Sequence, residues 1–230
     1  MNLKEEALKL HKTHRGKLAT ASKVKVATKE DLSLVYTPGV AEVCREIAAN
    51  PESVYDYTFK SNSVAVVTDG SAVLGLGNIG AEASLPVMEG KCALFKTFAD
   101  VDAFPIVLST YARDEIIAAV EAIAPVFGGI NLEDIAAPKC FYIEEELKKR
   151  LDIPVMHDDQ HGTAIAVLAA LLNAAKVVKK YFKKLKVVVS GAGAAGTAVT
   201  KLLVKAGVKD VVVLDSRGVL DQSRKEKHKK

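Results

Sequence analysis

The sequence predicts an α/β protein, and three observations carry that expectation. Short β-branched runs alternate with stretches of helical periodicity. Two adjacent acid pairs, Glu133-Asp134 and Asp158-Asp159, each follow an apolar run and precede a helix. A strand, a glycine-rich turn, a helix and a second strand then follow in order between residues 187 and 215. The pattern divides the chain into an N-terminal α/β/α domain, residues 1–160, and an incomplete dinucleotide-binding (Rossmann) domain, residues 161–230.

Leu3, Ala7, Leu8 and Leu10 share one helical face, and a basic loop through Gly16 leads into an extended run, KVKVAT. Thr28-Lys29-Glu30-Asp31 starts a second helix. In YTPGV, Pro38 excludes Thr37 from the helical region, and the turn holds Tyr36 at the head of the helix AEVCREIAAN, which Asn50-Pro51 ends. SVAVVTDGSAVLGLG reads as two apolar strands around Asp69-Gly70. Residues 75–80 spell G-x-G-x-x-G, but they leave a hairpin, and Pro86 is expected to interrupt the helix that should follow. Lys91 sits at the edge of an apolar run, where partial burial and a nearby cation would lower its pKa toward that of a working base.

VDAFPIVLST reads as a strand, and RDEIIAAVEAIAPVF as a helix with Ile116, Ile117, Val120 and Ile123 inward. A helix from PKCFYIEEELKKRL and a strand from IPVM follow. Pro154 and Gly162 bracket VMHDDQHGT as a strand-to-helix turn, with an apolar, central helix from Thr163 to about Tyr181. His157 and His161 have the spacing of zinc-protease histidines, yet Asp158 stands where that chemistry needs a Glu, so zinc is not expected. Four acids delivered to strand ends can instead converge on one hard cation, Mg²⁺ or Mn²⁺.

In the last segment Gly191, Gly193 and Gly196 permit the tight turn, the approach of a pyrophosphate and close helix-on-strand packing. Asp215 stands where an acid holds the ribose hydroxyls, and Arg217 nearby leaves NAD and NADP both open.

Composition narrows the classes further. The net charge is +4, but residues 221–230 hold five Lys or Arg against two acids, which is +3, so +1 remains for the other 220 residues and no nucleic-acid partner is expected. The longest uncharged apolar stretch, His161 to Ala175, is too short to span a bilayer. The charged amphipathic N-terminus is no signal sequence, so no membrane and a cytoplasmic location are expected. Cys44, Cys92 and Cys140 lack the spacing of a disulfide framework or a zinc site, and read as buried or half-buried thiols.

Five motifs in order, VYTPGVAEVC, TDGSAVLGLGNIG, NLEDI, HDDQHGTA and GAGAAG, resemble those of the malic enzymes in their shorter prokaryotic form, from about Leu34 to Asp215. The resemblance implies oxidative decarboxylation of L-malate to pyruvate with NAD or NADP, a divalent ion (Mg²⁺ or Mn²⁺) and a homodimer. Matched motif to motif, it implies Lys91 as general base and Tyr36 as the acid that protonates carbon. Glu133, Asp134 and Asp159 would be metal ligands with Asp158 a neighbour, and Gly191, Gly193, Ala194, Ala195, Gly196 and Asp215 would hold the dinucleotide. Two departures stand out. Ala72 occupies the position of a substrate-gripping Arg in larger relatives, which leaves backbone donors near residues 75–80 for the carboxylate. Only 15 residues follow Asp215, so the chain looks C-terminally truncated, and a non-catalytic assembly partner or a malolactic enzyme are the alternatives.

Overall fold

The computed structural model describes residues 2–221; most of the basic tail, residues 222–230, lies outside them. Near the N-terminus run α1 (Leu3–His14), α2 (Lys29–Val35), α3 (Val40–Ala49) and the short α4 (Val54–Tyr57). The predicted start of α2 is a full capping box, in which the Thr28 side chain accepts from Asp31 N and the Asp31 carboxylate accepts from Thr28 N. The run KVKVAT forms no strand.

The first lobe is then built from β1 (Ser63–Thr68), α5 (Ala81–Ala99), β2 (Asp102–Val107), α6 (Arg113–Ile123), β3 (Gly129–Leu132), α7 (Lys139–Arg150) and β4 (Val155–His157). Its strands are parallel, in the order β2-β1-β3-β4. The side-chain period of two splits β1 between layers: Ala65 and Val67 join α6 and α7 through Ile116, Ile117, Val120, Ile143 and Leu147, while Val66 meets Met88 and Cys92 of α5. The result is the predicted α/β/α arrangement, with β1 nearly buried on both faces as a parallel strand should be.

Chain order and spatial order reverse between β1 and β3. Ligand crevices of open α/β sheets lie at such a point, beyond the carboxyl ends of the strands. Glu133 directly follows β3, and Asp158 directly follows β4.

The second lobe holds α8 (Asp158–Val177), β5 (Lys186–Ser190), α9 (Ala194–Lys205), β6 (Asp210–Asp215) and the two-residue β7 (Gly218–Val219). Strands β5 and β6 are parallel and β7 is antiparallel to β6. Ala164 of α8 and Ala198, Val199 and Leu203 of α9 share one small core with Val187 and Val189 of β5.

Five expectations need correcting. Beyond β1 there is no second strand: positive φ at Gly70, Gly75 and Gly77 bends residues 69–80 into a loop with only an isolated bridge, Val73 to Gly77. Helix α5 runs through Pro86, which lies in its second turn. Helix α8 starts at Asp158, five residues before Thr163, because both acids suit the positive end of its dipole. It is also not central, since Ile165, Leu172 and Val177 are exposed. Cys92 and Cys140 are buried, their thiols pushed up to about 12 chiefly by desolvation, whereas Cys44 is exposed.

Candidate active site

Two separate stretches of chain deliver the acids. Glu133 and Asp134 cap β3, and Asp159 occupies the first turn of α8. One carboxylate oxygen from each lies within 4.8 Å of the other two. Asp134 is held with φ +53, its N–H donating to Asp159 Oδ2 at 3.1 Å. Asn131 Nδ2 donates to Glu133 Oε2 at 2.8 Å, which turns the other oxygen toward the cluster.

Lys91 completes the group from α5, on the helical face that also carries Met88 and Cys92 into the core. Its Nζ lies 2.8 Å from Asp158 Oδ2 and 3.2 Å from Glu133 Oε1. Gly162 makes this possible: a Cβ there would stand 2.5 Å from Asp158 Oδ1. Sequence reasoning took Gly162 as a helix boundary, but the structure uses it as space for the Asp158 carboxylate.

The expected lowering of the Lys91 pKa is not what the charges produce. Burial does pull it down, but the Asp158 hydrogen bond and the Glu133 and Asp158 charges outweigh burial, and the net shift is upward. The acids move in the opposite sense to ordinary surface carboxylates. Desolvation pushes Glu133 from 4.5 up to about 7, against the pull of Lys91. Desolvation and then the Asp159 charge push Asp134 from 3.8 up to about 6.

Four carboxylates thus face one ammonium, and Asp134 Oδ2 is buried without a partner. An all-oxygen set with surplus negative charge and an orphaned acceptor fits a hard divalent ion. His157 is fully buried behind the cluster, with Nε2 3.9 Å from Asp159 Oδ2, and burial holds its pKa low.

The raised acids give a pH signature. A carboxylate whose folded pKa exceeds its unfolded value contributes stability that is full below about pH 4 and lost as pH rises through about 6 to 7. The metal-free chain is therefore expected to lose thermal stability across that window, and Mn²⁺ affinity to tighten across it as protons stop competing. Melting temperatures with and without Mn²⁺, taken from pH 5 to 8, check both signs.

Tyr36 is not brought to this group. It is the C-cap of α2, its carbonyl accepts from Val40 N at 3.1 Å, and the residue is 68% exposed. Among the described residues its hydroxyl makes no hydrogen bond. Sequence reasoning missed Glu144, a buried α7 acid that accepts from His157 N and Gln160 Nε2 and lies 2.7 Å from His161 Nε2. It fixes the start of α8, and a Glu inside an amphipathic helix carries no signal for that.

In the second lobe Gly191 has φ +111, and a Cβ on Gly191 or Gly193 would meet nothing within 4 Å, so that side of the turn faces open space. Gly196 is the opposite case, since a Cβ there would strike the Gly191 carbonyl and touch Val189. Ala194 packs onto the core of the first lobe and Ala195 continues the first turn of α9. Asp215 accepts from Arg217 N at 2.8 Å at the end of β6. A cleft of about 750 Å³ separates Ala137, Pro138 and Phe141 from Ala192, Gly193 and Thr197, large enough for a small-molecule ligand. Gly196→Ala should cost about 1–3 kcal/mol of stability through that overpacking. A lowered melting temperature together with weakened NADH fluorescence enhancement would register it.

The fold and the site define a class: two-lobed α/β proteins with a cluster of carboxylates at strand ends in one lobe and a dinucleotide-type glycine turn in the other. The family descriptions "Malic enzyme, N-terminal domain" and "Malic enzyme, NAD binding domain" match residues 14–113 with 109–148, and 160–228, respectively. The chain belongs to the malic enzyme family. It is 60% identical over 224 residues to the bifunctional malic/malolactic enzyme of Bacillus subtilis (strain 168), covering 97% of this chain and 55% of that protein. It is 52% identical over 225 residues to the NADP-dependent malic enzyme of Escherichia coli (strain K12), covering 96% of this chain and 30% of that one. The crystal structure of the NAD-dependent malic enzyme of Thermotoga maritima superposes with a TM-score of 0.92 at 55% identity, covering 94% of this chain and 58% of the other. The chain thus spans about half, or less, of the curated relatives it matches.

Proposed function

We propose that this chain carries the site for oxidative decarboxylation of L-malate to pyruvate and carbon dioxide, with reduction of NAD or NADP. The observation that carries the reading is the meeting of Glu133, Asp134 and Asp159 around a space that Lys91 borders. Residues 1–160 are read as the catalytic domain and 161–230 as the dinucleotide domain. Support for the boundary comes from Ala164, which packs with α9 and β5.

Glu133, Asp134 and Asp159 would hold Mg²⁺ or Mn²⁺, with Asp158 reserved for Lys91. A divalent ion there would supply positive charge that orients a 2-hydroxy carboxylate and, once that carbon has been oxidised, draws electron density onto the 2-oxo group as carbon dioxide leaves. Lys91 takes the hydroxyl proton as the hydride passes to the nicotinamide. Tyr36 would return a proton to the carbon that loses carbon dioxide, a role that needs the exposed segment carrying it to be brought over the acid cluster. Lysine and tyrosine both start near pKa 10, so each must be tuned to work near neutrality. For Lys91 that requires offsetting the Glu133 and Asp158 charges that now raise it. The turn from Gly191 to Gly196 would place the pyrophosphate on the N-terminus of α9, with Asp215 toward the ribose.

A homodimer fits the exposed apolar residues of the N-terminal segment, Leu3, Leu8, Leu32 and Leu34, and Tyr36 lies on the same segment. None of the helices among the described residues is long and apolar enough to cross a membrane. Three free cysteines, one of them exposed, suit the reducing cytoplasm.

The test is formation of NADH or NADPH from L-malate with Mn²⁺ present. Pyruvate and reduced dinucleotide in equal amounts support the reading. Lactate without net reduced dinucleotide would instead support malolactic conversion. Absence of turnover with either dinucleotide, in a chain that binds Mn²⁺, would make it a non-catalytic assembly partner.

A further inference from the structure

A third strand end of the same sheet also carries an acid, one with no part in the reading above. Asp69 follows β1, the strand beside β3, and is fully buried. A buried carboxylate must have its oxygens satisfied, and each oxygen of Asp69 has a partner. Oδ1 accepts from Ser71 N at 3.0 Å and from Ser71 Oγ at 2.6 Å. Oδ2 pairs with Lys139 Nζ, which also donates to Tyr111 O at 3.3 Å.

Ser71 then passes the constraint on. Its Oγ accepts from Ala136 N at 2.9 Å, and next to it Ala72 N donates to Asp134 O at 3.0 Å. The acid-bearing loop is therefore fastened to the Asp69 loop at two points, on either side of Ile135. Asp134 lies within that fastening, at φ +53. A non-glycine residue keeps a left-handed backbone at a cost, and keeps it where the surroundings over-determine it. Its carbonyl is held by Ala72 and its N–H by Asp159 Oδ2.

We propose that Ser71, oriented by buried Asp69 and Lys139, is a positioning residue that holds the main chain at Asp134 and so sets the geometry of the divalent-cation site. The inference rests on reading Glu133, Asp134 and Asp159 as that site. Outer-shell partners of metal ligands are worth about 10–100-fold in affinity.

The experiment is titration of the full chain with Mn²⁺ alone, followed by the electron paramagnetic resonance signal of the free ion, at a temperature well below unfolding. Ser71→Ala removes the Oγ and should raise the Mn²⁺ dissociation constant about tenfold or more, while Ser71→Thr, which keeps an oxygen there, should stay within about threefold of the unmodified chain. A merely structural role would lower the melting temperature of the metal-free chain and leave Mn²⁺ affinity unmoved. Equal affinity in Ser71→Ala overturns the proposal, as does a loss in Ser71→Thr as large as in Ser71→Ala. If Ser71→Ala does not fold, Lys139→Gln at a less buried position unpairs Asp69, and unchanged affinity there overturns the proposal too. Failure of the unmodified chain to bind Mn²⁺ would sink the cation-site reading and this inference with it. Normal Mn²⁺ binding without malate turnover would sink only the assigned reaction.

Discussion

Lys91→Ala is expected to lower L-malate turnover by about a hundredfold or more, the loss typical of removing a positioned proton acceptor. The same substitution should leave Mn²⁺ binding unchanged or tighter. Lys91 is a positive charge 3.2 Å from Glu133 Oε1, so it competes with any cation for that carboxylate. Removing a competitor cannot weaken the site. Lys91→Arg separates the two roles, because guanidinium keeps the charge and the ion pairs but does not give up its proton near neutrality. Turnover should fall in both variants, measured as the initial rate of NAD(P)H formation at saturating malate and Mn²⁺. Recovery of turnover in Lys91→Arg would mean that Lys91 acts only as a counter-charge to Glu133 and Asp158.

The second large effect belongs to Asp134→Asn. Asparagine has the shape of aspartate and tolerates the left-handed backbone that Asp134 adopts at φ +53, so the loop should keep its path. The substitution removes a carboxylate that burial and the Asp159 charge already disfavour. Two opposite results follow from the same cause. Metal-free Asp134→Asn should melt higher than the unmodified chain at pH 8, where Asp134 is otherwise ionised and repelled. With Mn²⁺ present the order should reverse, as affinity falls by about a hundredfold or more. Saturating a site at a hundred times its dissociation constant stabilises a fold by about 2.7 kcal/mol, and the variant would forgo that at the same Mn²⁺ concentration. A structural acid with no ligand role would show no such crossover, because Mn²⁺ would shift both proteins alike.

Much of this was legible in the residues because chain order and strand ends are local properties. The apolar runs of β3 and β4 and the turns after them place both acid pairs at carboxyl ends. The unit from β5 through α9 to β6 follows from β-branched residues, three glycines and a terminal acid. What escaped was set by distant partners. Strand order decides that the Asp69 loop neighbours the Glu133 loop, and nothing within TDGS announces it. The upward shift of Lys91 depends on Asp158 reaching across from another helix, which Gly162 permits by lacking a Cβ. The misread second strand and the misplaced start of α8 have a shared origin. Composition marks glycine and acid-rich turns alike, whereas backbone pairing and the helix dipole decide whether a strand or a helix forms there.

Anomalous diffraction from crystals soaked in Mn²⁺, collected at the manganese absorption edge, addresses the heart of this account. One strong peak should appear per chain, in contact with carboxylate oxygens of Glu133, Asp134 and Asp159 and bordered by Lys91. A soaked crystal whose manganese peak lay away from those three side chains, or that showed no peak at all, would contradict it.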